Sequence, residues 1–147
     1  MTPYLYHYLS KSHKSIHASR ALARQYFKNA SYGLPGNSDA GALNSWLIWN
    51  MLGLYPVVTQ PVYLLGSPWF PDINMTVNHN RTLRITASGL GKENYYVQSV
   101  RVNGVEWEKN WVGHGDVMVE GGLVEFVLGG EEVVWEKEGP GSPGRLG

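Results

Sequence analysis

Residues 33–41 read Gly33-Leu34-Pro35-Gly36-Asn37-Ser38-Asp39-Ala40-Gly41, directly before an apolar run that closes at Met51-Leu52-Gly53-Leu54-Tyr55-Pro56. The glycines and the proline let the backbone turn sharply, and Asn37, Ser38 and Asp39 are all competent helix caps. A helix is therefore expected to begin at or just after Asp39. Leu43, Trp46, Leu47, Met51 and Leu54 form its apolar stripe, and Ile48 and Trp49 widen the stripe over most of the circumference. Such a helix belongs inside a larger assembly rather than on an isolated two-helix surface. Gly53 and Pro56 end it.

On the N-terminal side, Ile16, Ala23 and Phe27, with Leu22 and Tyr26 alongside, recur at helical spacing, and Ser15 is placed to cap the start. His17, Arg24 and Gln25 take the opposite, solvated face. From about residue 61 the period changes to two. Strands are expected at Val62–Leu65, Ile73–Val77, Leu83–Ala87, Tyr95–Val102 and Leu123–Leu128. Asn103-Gly104 is a type I′ hairpin signal that pairs the preceding strand with one through Val105 and Trp107. The fold expected is α+β, with an antiparallel second half. The stretch from Glu136 to Gly147 is rich in Gly and Pro and reads as frayed.

Composition removes several classes of function. Of 147 residues 43% are apolar, which is enough for a core, and 12 basic residues balance 12 acidic ones. No nucleic-acid footprint or anionic membrane partner follows from that balance. The chain has no cysteine, which excludes disulfides, thiolate catalysis and cysteine-ligated zinc. No apolar stretch approaches the ~20 residues that cross a bilayer. The opening Met1-Thr2-Pro3-Tyr4-Leu5-Tyr6 has neither the basic nor the long apolar region of a signal peptide, and it reads like the interior of a protein. Six Trp and nine Tyr are mostly core material, although carbohydrate sites use such rings as well.

Asp39 has two compatible readings. It is a helix cap, and a carboxylate that accepts backbone N–H bonds is also held charged, as a general base toward water requires. Asn37 is a turn former or an amide that orients water or sugar, while Ser38 only helps the turn. Asn44 and Asn50 are internal or line a wall. His79, His114 and Asp116 are turn residues, and no metal motif links His7, His13 and His17. Asn74-Met75-Thr76 and Asn80-Arg81-Thr82 are N-glycosylation acceptor patterns, which matter only on a secretory route.

The run Tyr32 to Trp46, followed by Met51-Leu52-Gly53-Leu54-Tyr55-Pro56, resembles a segment of glycoside hydrolase family 92, the calcium-dependent exo-acting α-mannosidases. Pro3-Tyr4-Leu5-Tyr6, the run Tyr63 to Phe70, the run Tyr96 to Gly104, and Trp111, His114 and Asp116 continue the likeness in order. The resemblance implies closing helices of an (α/α)6 toroid over residues 1–58. An antiparallel β-sandwich-like region over 59–136 and a flexible tail over 137–147 follow. It also implies inverting hydrolysis of terminal α-mannosides on N-glycan or mannan-type chains, in a secreted or luminal enzyme. In the family pattern Gly-(Asn/Asp)-(Asp/Glu)-Asp-x-Gly, Asp39 takes the place of the general base. Asn37 takes that of a residue positioning the water, and Ser38 departs from the usual acid. The family's general-acid Glu and most of its calcium shell are expected upstream of Met1, in another portion of the same enzyme, so this portion is expected to be inactive alone. The alternative is a non-catalytic carbohydrate-binding or accessory β module, which rests on the aromatic-rich half beyond residue 60.

Overall fold

Small side chains decide how the first helix packs. In the computed structural model, which describes residues 2–140, a 3-10 helix (Thr2–Leu9) leads into α1, Ser12–Tyr26. The buried face of α1 is Ser12, Ser15, Ile16, Ser19, Arg20 and Ala23, spaced by three and four residues as helical geometry requires. Three serines let the helix backbone come close to its neighbours. Ile16 and Ala23 of the expected apolar face are buried at its centre, while its flanking Leu22 and Tyr26 are 38% and 48% exposed. Ser15 is buried inside the helix and does not cap it.

Arg20 makes this polar face workable. Its Nη2 donates to Ser67 O (3.2 Å), Ser67 Oγ (3.0 Å) and Pro68 O (2.6 Å). The guanidinium also lies 5.0 Å from the ring centroids of both Trp69 and Tyr95. Burial penalises its charge and lowers its pKa to about 10.

The second helix, α2, spans Ala42–Leu52 and ends at Gly53, as expected. Gly53 adopts φ +75°, and its N–H closes on the carbonyls of Trp49 and Asn50. Leu54 is not the last member of the helical stripe but the first residue of β1 (Leu54–Pro56). Asn50 is the one buried residue of α2, donating through Nδ2 to the Tyr4 hydroxyl at 2.8 Å. Trp46, Leu47, Trp49 and Met51 are only half-buried, and Ile48 is exposed. The apolar circumference read from the sequence is thus left largely uncovered among the described residues.

Two sheets follow. β1, β2 (Val62–Leu65) and β7 (Trp111–Gly113) form a three-stranded antiparallel sheet in the order β1-β2-β7. β3 (Asp72–Thr76), β4 (Thr82–Ser88), β5 (Tyr96–Val102), β6 (Val105–Trp107) and β8 (Gly122–Gly129) form a five-stranded sheet in the order β3-β4-β8-β5-β6. The hairpin at Asn103-Gly104 forms as expected, with φ +51° and +80° and Val102 paired to Val105. One expectation fails: β8 runs parallel to β4, with Leu83 opposite Gly122 and Ser88 opposite Val127, so the sheet is mixed rather than antiparallel. β4 and β5 run in opposite directions, so a strand lying between them is necessarily parallel to one of the two.

Leu83, Ile85, Val97, Val100, Val124 and Phe126 from the large sheet share one core with Leu54, Leu65 and Val112 from the small sheet and Ile16 from α1. The core therefore runs across residue 58, the boundary expected between helical and β parts.

The segment from Glu136 to Pro140 is docked rather than frayed. Lys137 N donates to Glu108 O (2.8 Å), Asn110 N donates to Glu138 O (3.2 Å), and Glu136 is 4% exposed. Its Oε1 accepts Ser12 N at 2.8 Å and Asn110 Nδ2 at 3.3 Å. Trp135 Nε1 donates to Ser12 Oγ at 3.1 Å. A carboxylate from the far end of the chain thus serves the N-terminus of α1, which has no side-chain cap of its own. Residues 141–147 of the expected tail lie outside the described residues.

Candidate active site

The polar loop is built on left-handed backbone. Asp39 opens a short 3-10 turn, Asp39–Gly41, in which Ala40 adopts φ +50°, ψ +29° and Gly41 φ +78°, with Gly36 upstream at φ +139°. Glycine takes such values freely, but Ala40 bears a Cβ and gives up about 1–2 kcal/mol there. Left-handed non-glycine residues of this kind concentrate at functional sites.

Two left-handed residues push the start of α2 back to Ala42, and the capping roles change accordingly. Gly41 occupies the cap position and makes no side-chain bond. The side chain that meets the helix is Ser38, whose Oγ accepts Leu43 N at 3.3 Å and donates to Asn44 Oδ1 at 2.7 Å. Ser38 therefore does the work expected of Asp39, which is not the helix cap. The Asp39 carboxylate is exposed, as is Asn37, and it makes no hydrogen bond among the described residues.

What surrounds the loop is apolar and aromatic. A groove of about 480 Å³ is lined by Leu22, Tyr26 and Phe27 at the end of α1, by Pro35, and by Leu43 and Trp46 at the start of α2. Phe27 and Trp46 stack across it at 5.6 Å between ring centroids. Pro35 and Leu43 flank Asn37 and Asp39 in the chain, but neither polar residue is among those that line the groove. Asp39 is also the first acidic residue of the sequence, with none before Asp72. Five basic residues (Lys11, Lys14, Arg20, Arg24 and Lys28) precede it.

Calcium requires six to eight oxygen ligands, several of them carboxylates in tight sites. Among the described residues no group of three or more His, Asp or Glu stands close enough to hold a metal. At the loop, Asp39 is the one carboxylate, and Ser38 Oγ and Asn44 Oδ1 are bound to each other. These residues do not make a calcium shell.

The histidines separate. His7 is fully buried with Nε2 2.9 Å from Leu65 O. His17 Nδ1 lies 3.3 Å from the Tyr95 hydroxyl and 3.1 Å from that of Tyr96, which donates to Glu132 Oε1 at 3.1 Å. Burial, with Tyr95 and Glu132 adjoining, pushes the Tyr96 hydroxyl well above its usual range. His114 Nδ1 meets the Tyr63 hydroxyl at 2.8 Å. The sequence pattern pointed to none of the histidine pairings, since each of those joins residues at least 51 positions apart.

The site region is thus a helical pair with an aromatic groove and a neighbouring polar loop, packed on two sheets. The sequence profile of the glycosyl hydrolase family 92 catalytic domain matches residues 1–130, and the chain belongs to that family. It is 32% identical over 138 residues to an uncharacterized secreted glycosidase of Arthroderma benhamiae, covering 92% of this chain and 18% of that protein. A family GH92 α-mannosidase from Bacteroides thetaiotaomicron, solved with mannoimidazole, superposes with a TM-score of 0.85 at 28% identity, over 91% of this chain and 18% of that one. A second structure from that organism, of an inverting family GH92 mannosidase, shares the fold at 24% identity with a TM-score of 0.80, over 88% and 18%. The chain thus spans 18% of the length of each of these relatives. No helix among the described residues is long and apolar enough to cross a membrane.

Proposed function

We propose that this chain forms one wall of the active site of an inverting exo-α-mannosidase, with Asp39 as general base and Asn37 positioning the attacking water. The observation that carries this is the placement of Asp39. Its exposed carboxylate opens a turn whose next residue, Ala40, is left-handed, and Pro35 and Leu43 on either side of it in sequence line an aromatic groove.

In an inverting reaction the base removes a proton from water as its oxygen bonds to the anomeric carbon, while an acid on the opposite side protonates the departing oxygen. Asp39 Oδ supplies the first function, and the Asn37 amide holds the water in line. Tyr26, Phe27 and Trp46 offer apolar ring surface to the sugar. The proton donor and the calcium ligands come from an upstream portion of the same enzyme. The substrates are terminal α-mannosides of N-glycan or mannan type, met on a secreted or luminal route. A purely carbohydrate-binding role for the β half fits less well. Lys109 Nζ lies over the rings of both Trp107 and Trp111, at 5.7 and 5.0 Å, and takes ring surface that a sugar would need.

The test is a chimera in which this chain replaces the corresponding part of the Bacteroides α-mannosidase, assayed for mannose release from an α-linked mannobiose. Asp39→Asn should lower kcat by ~10²–10⁴-fold with an unchanged melting temperature. A folded Asp39→Asn chimera with full activity refutes the assignment.

A further inference from the structure

The two acceptor sequences for N-linked sugar both lie at the edge of the five-stranded sheet, where β3 is paired only on its β4 side, and the backbone distinguishes them. Asn74 sits within β3, in register with Arg84 of β4. That arginine is held by Asp72 through two bonds of 3.0 and 2.6 Å. Asn80 instead ends the tight turn Asn78–Asn80 between β3 and β4, at φ +68°. Asparagine tolerates this left-handed conformation better than most residues.

The next residue, Arg81, is extended (φ −76°, ψ 155°), and Thr82 opens β4. Asn80, Arg81 and Thr82 are all exposed. The turn is closed by backbone bonds alone, Val77 N to Arg81 O (2.7 Å) and Arg81 N to Asn78 O (3.0 Å). Neither engages the Asn80 amide or the Thr82 hydroxyl, so a bulky group on Asn80 Nδ2 points to solvent without disturbing the ladder.

We propose that Asn80 is a modification site that carries an N-linked oligosaccharide. This rests on the secreted or luminal route stated above. The donor is a lipid pyrophosphate-linked oligosaccharide. Asn80 Nδ2 forms the N–C bond to the anomeric carbon, the bond from that carbon to the phosphate oxygen breaks, and lipid pyrophosphate and a proton leave. No oxidant or reductant is required. The sugar would stand at the end of an edge strand whose Ile73 and Met75 are only half-buried. Edges of that kind template pairing between chains unless something bulky or charged blocks them.

The experiment expresses the full 147-residue chain behind a heterologous secretory leader in a eukaryotic host and examines microsomes as well as medium, so that retained product is read too. The chain should lose mobility on a gel relative to the same chain treated with an amidase that releases N-glycans, leaving a deamidation mark at residue 80. Asn80→Gln and Thr82→Ala should each remove that step, whether or not the variants fold. Wild type and Asn80→Gln migrating together before treatment overturns the proposal. Since the leader is supplied, this failure is separate from failure of the native route, which is read by fractionating the untagged protein. It is also separate from the Asp39 assay.

Discussion

Replacing Glu136 by Ala tests whether the last part of the chain is a structural strap. The substitution removes the acceptor of Ser12 N, a donor in the first turn of α1 that is fully buried with its residue. Asn110 Nδ2 keeps one of its two N–H bonds, to His7 O at 2.9 Å, and loses the longer one of 3.3 Å, so Ser12 N is the donor left with no partner at all. An unsatisfied buried N–H costs about 1–3 kcal/mol. A negative charge lost beside a helix N-terminus adds about 0.3–1 kcal/mol, and more where burial limits screening. The sum is about 2–4 kcal/mol, which for a chain of this size lowers the melting temperature by roughly 5–12 °C. Glu136→Gln keeps an oxygen acceptor and drops the charge, so it should cost about 1 kcal/mol. Urea unfolding gives the energies, provided the slope is unchanged. Amide exchange at Ser12 reports the bond itself and should accelerate in the Ala variant. A Glu136→Ala chain within about 0.5 kcal/mol of wild type, with Ser12 still protected, would show that the strap holds nothing.

Two further outcomes follow from buried groups. Desolvation lowers the pKa of His7 below its ordinary 6.5, so the unfolded chain binds that proton more readily than the folded one. Stability should be whole above about pH 6.5 and fall as the pH drops through the window beneath it. Urea midpoints compared between about pH 7.5 and about pH 5 should show a decline that His7→Gln flattens, and identical slopes refute it. At Gly53, φ is +75° and an added Cβ would lie 2.8 Å from the Pro68 ring. Gly53→Ala should therefore cost about 2–5 kcal/mol, from left-handed strain plus overpacking. A midpoint unchanged from wild type counts against the close packing of α2 on Pro68.

What the sequence revealed was local, and what it concealed was long-range. α2, its Gly53 stop, the strand alternation of β4 and the Asn103-Gly104 turn each depend on neighbours within a few residues, so periodicity and turn chemistry found them. Ile16 and Ala23 on the buried face of α1 were legible, but its serines and Arg20 were not, since the carbonyl partner of Arg20 on Ser67 is 47 positions away. Glu136 looked like part of a frayed tail because its partner at Ser12 is 124 positions away. β1 and β7 span three residues each, too few for a pattern. At the loop, the residue types pointed to a cap but not to which of them caps. Alanine gives no sign of a positive φ, and Ala40 is what moves the helix start and frees the Asp39 carboxylate.

The order β3-β4-β8-β5-β6 has a consequence for synthesis. A ribosome releases β3 and β4 as one ribbon and β5 and β6 as another, and each can close on itself at once. Neither ribbon can join the other until Gly122–Gly129, the last strand of the described residues, slides between them. During that interval the inner borders of β4 and β5 stand open to any foreign strand. Nascent chains stalled before residue 122 should accordingly need a chaperone more than those that have passed residue 129.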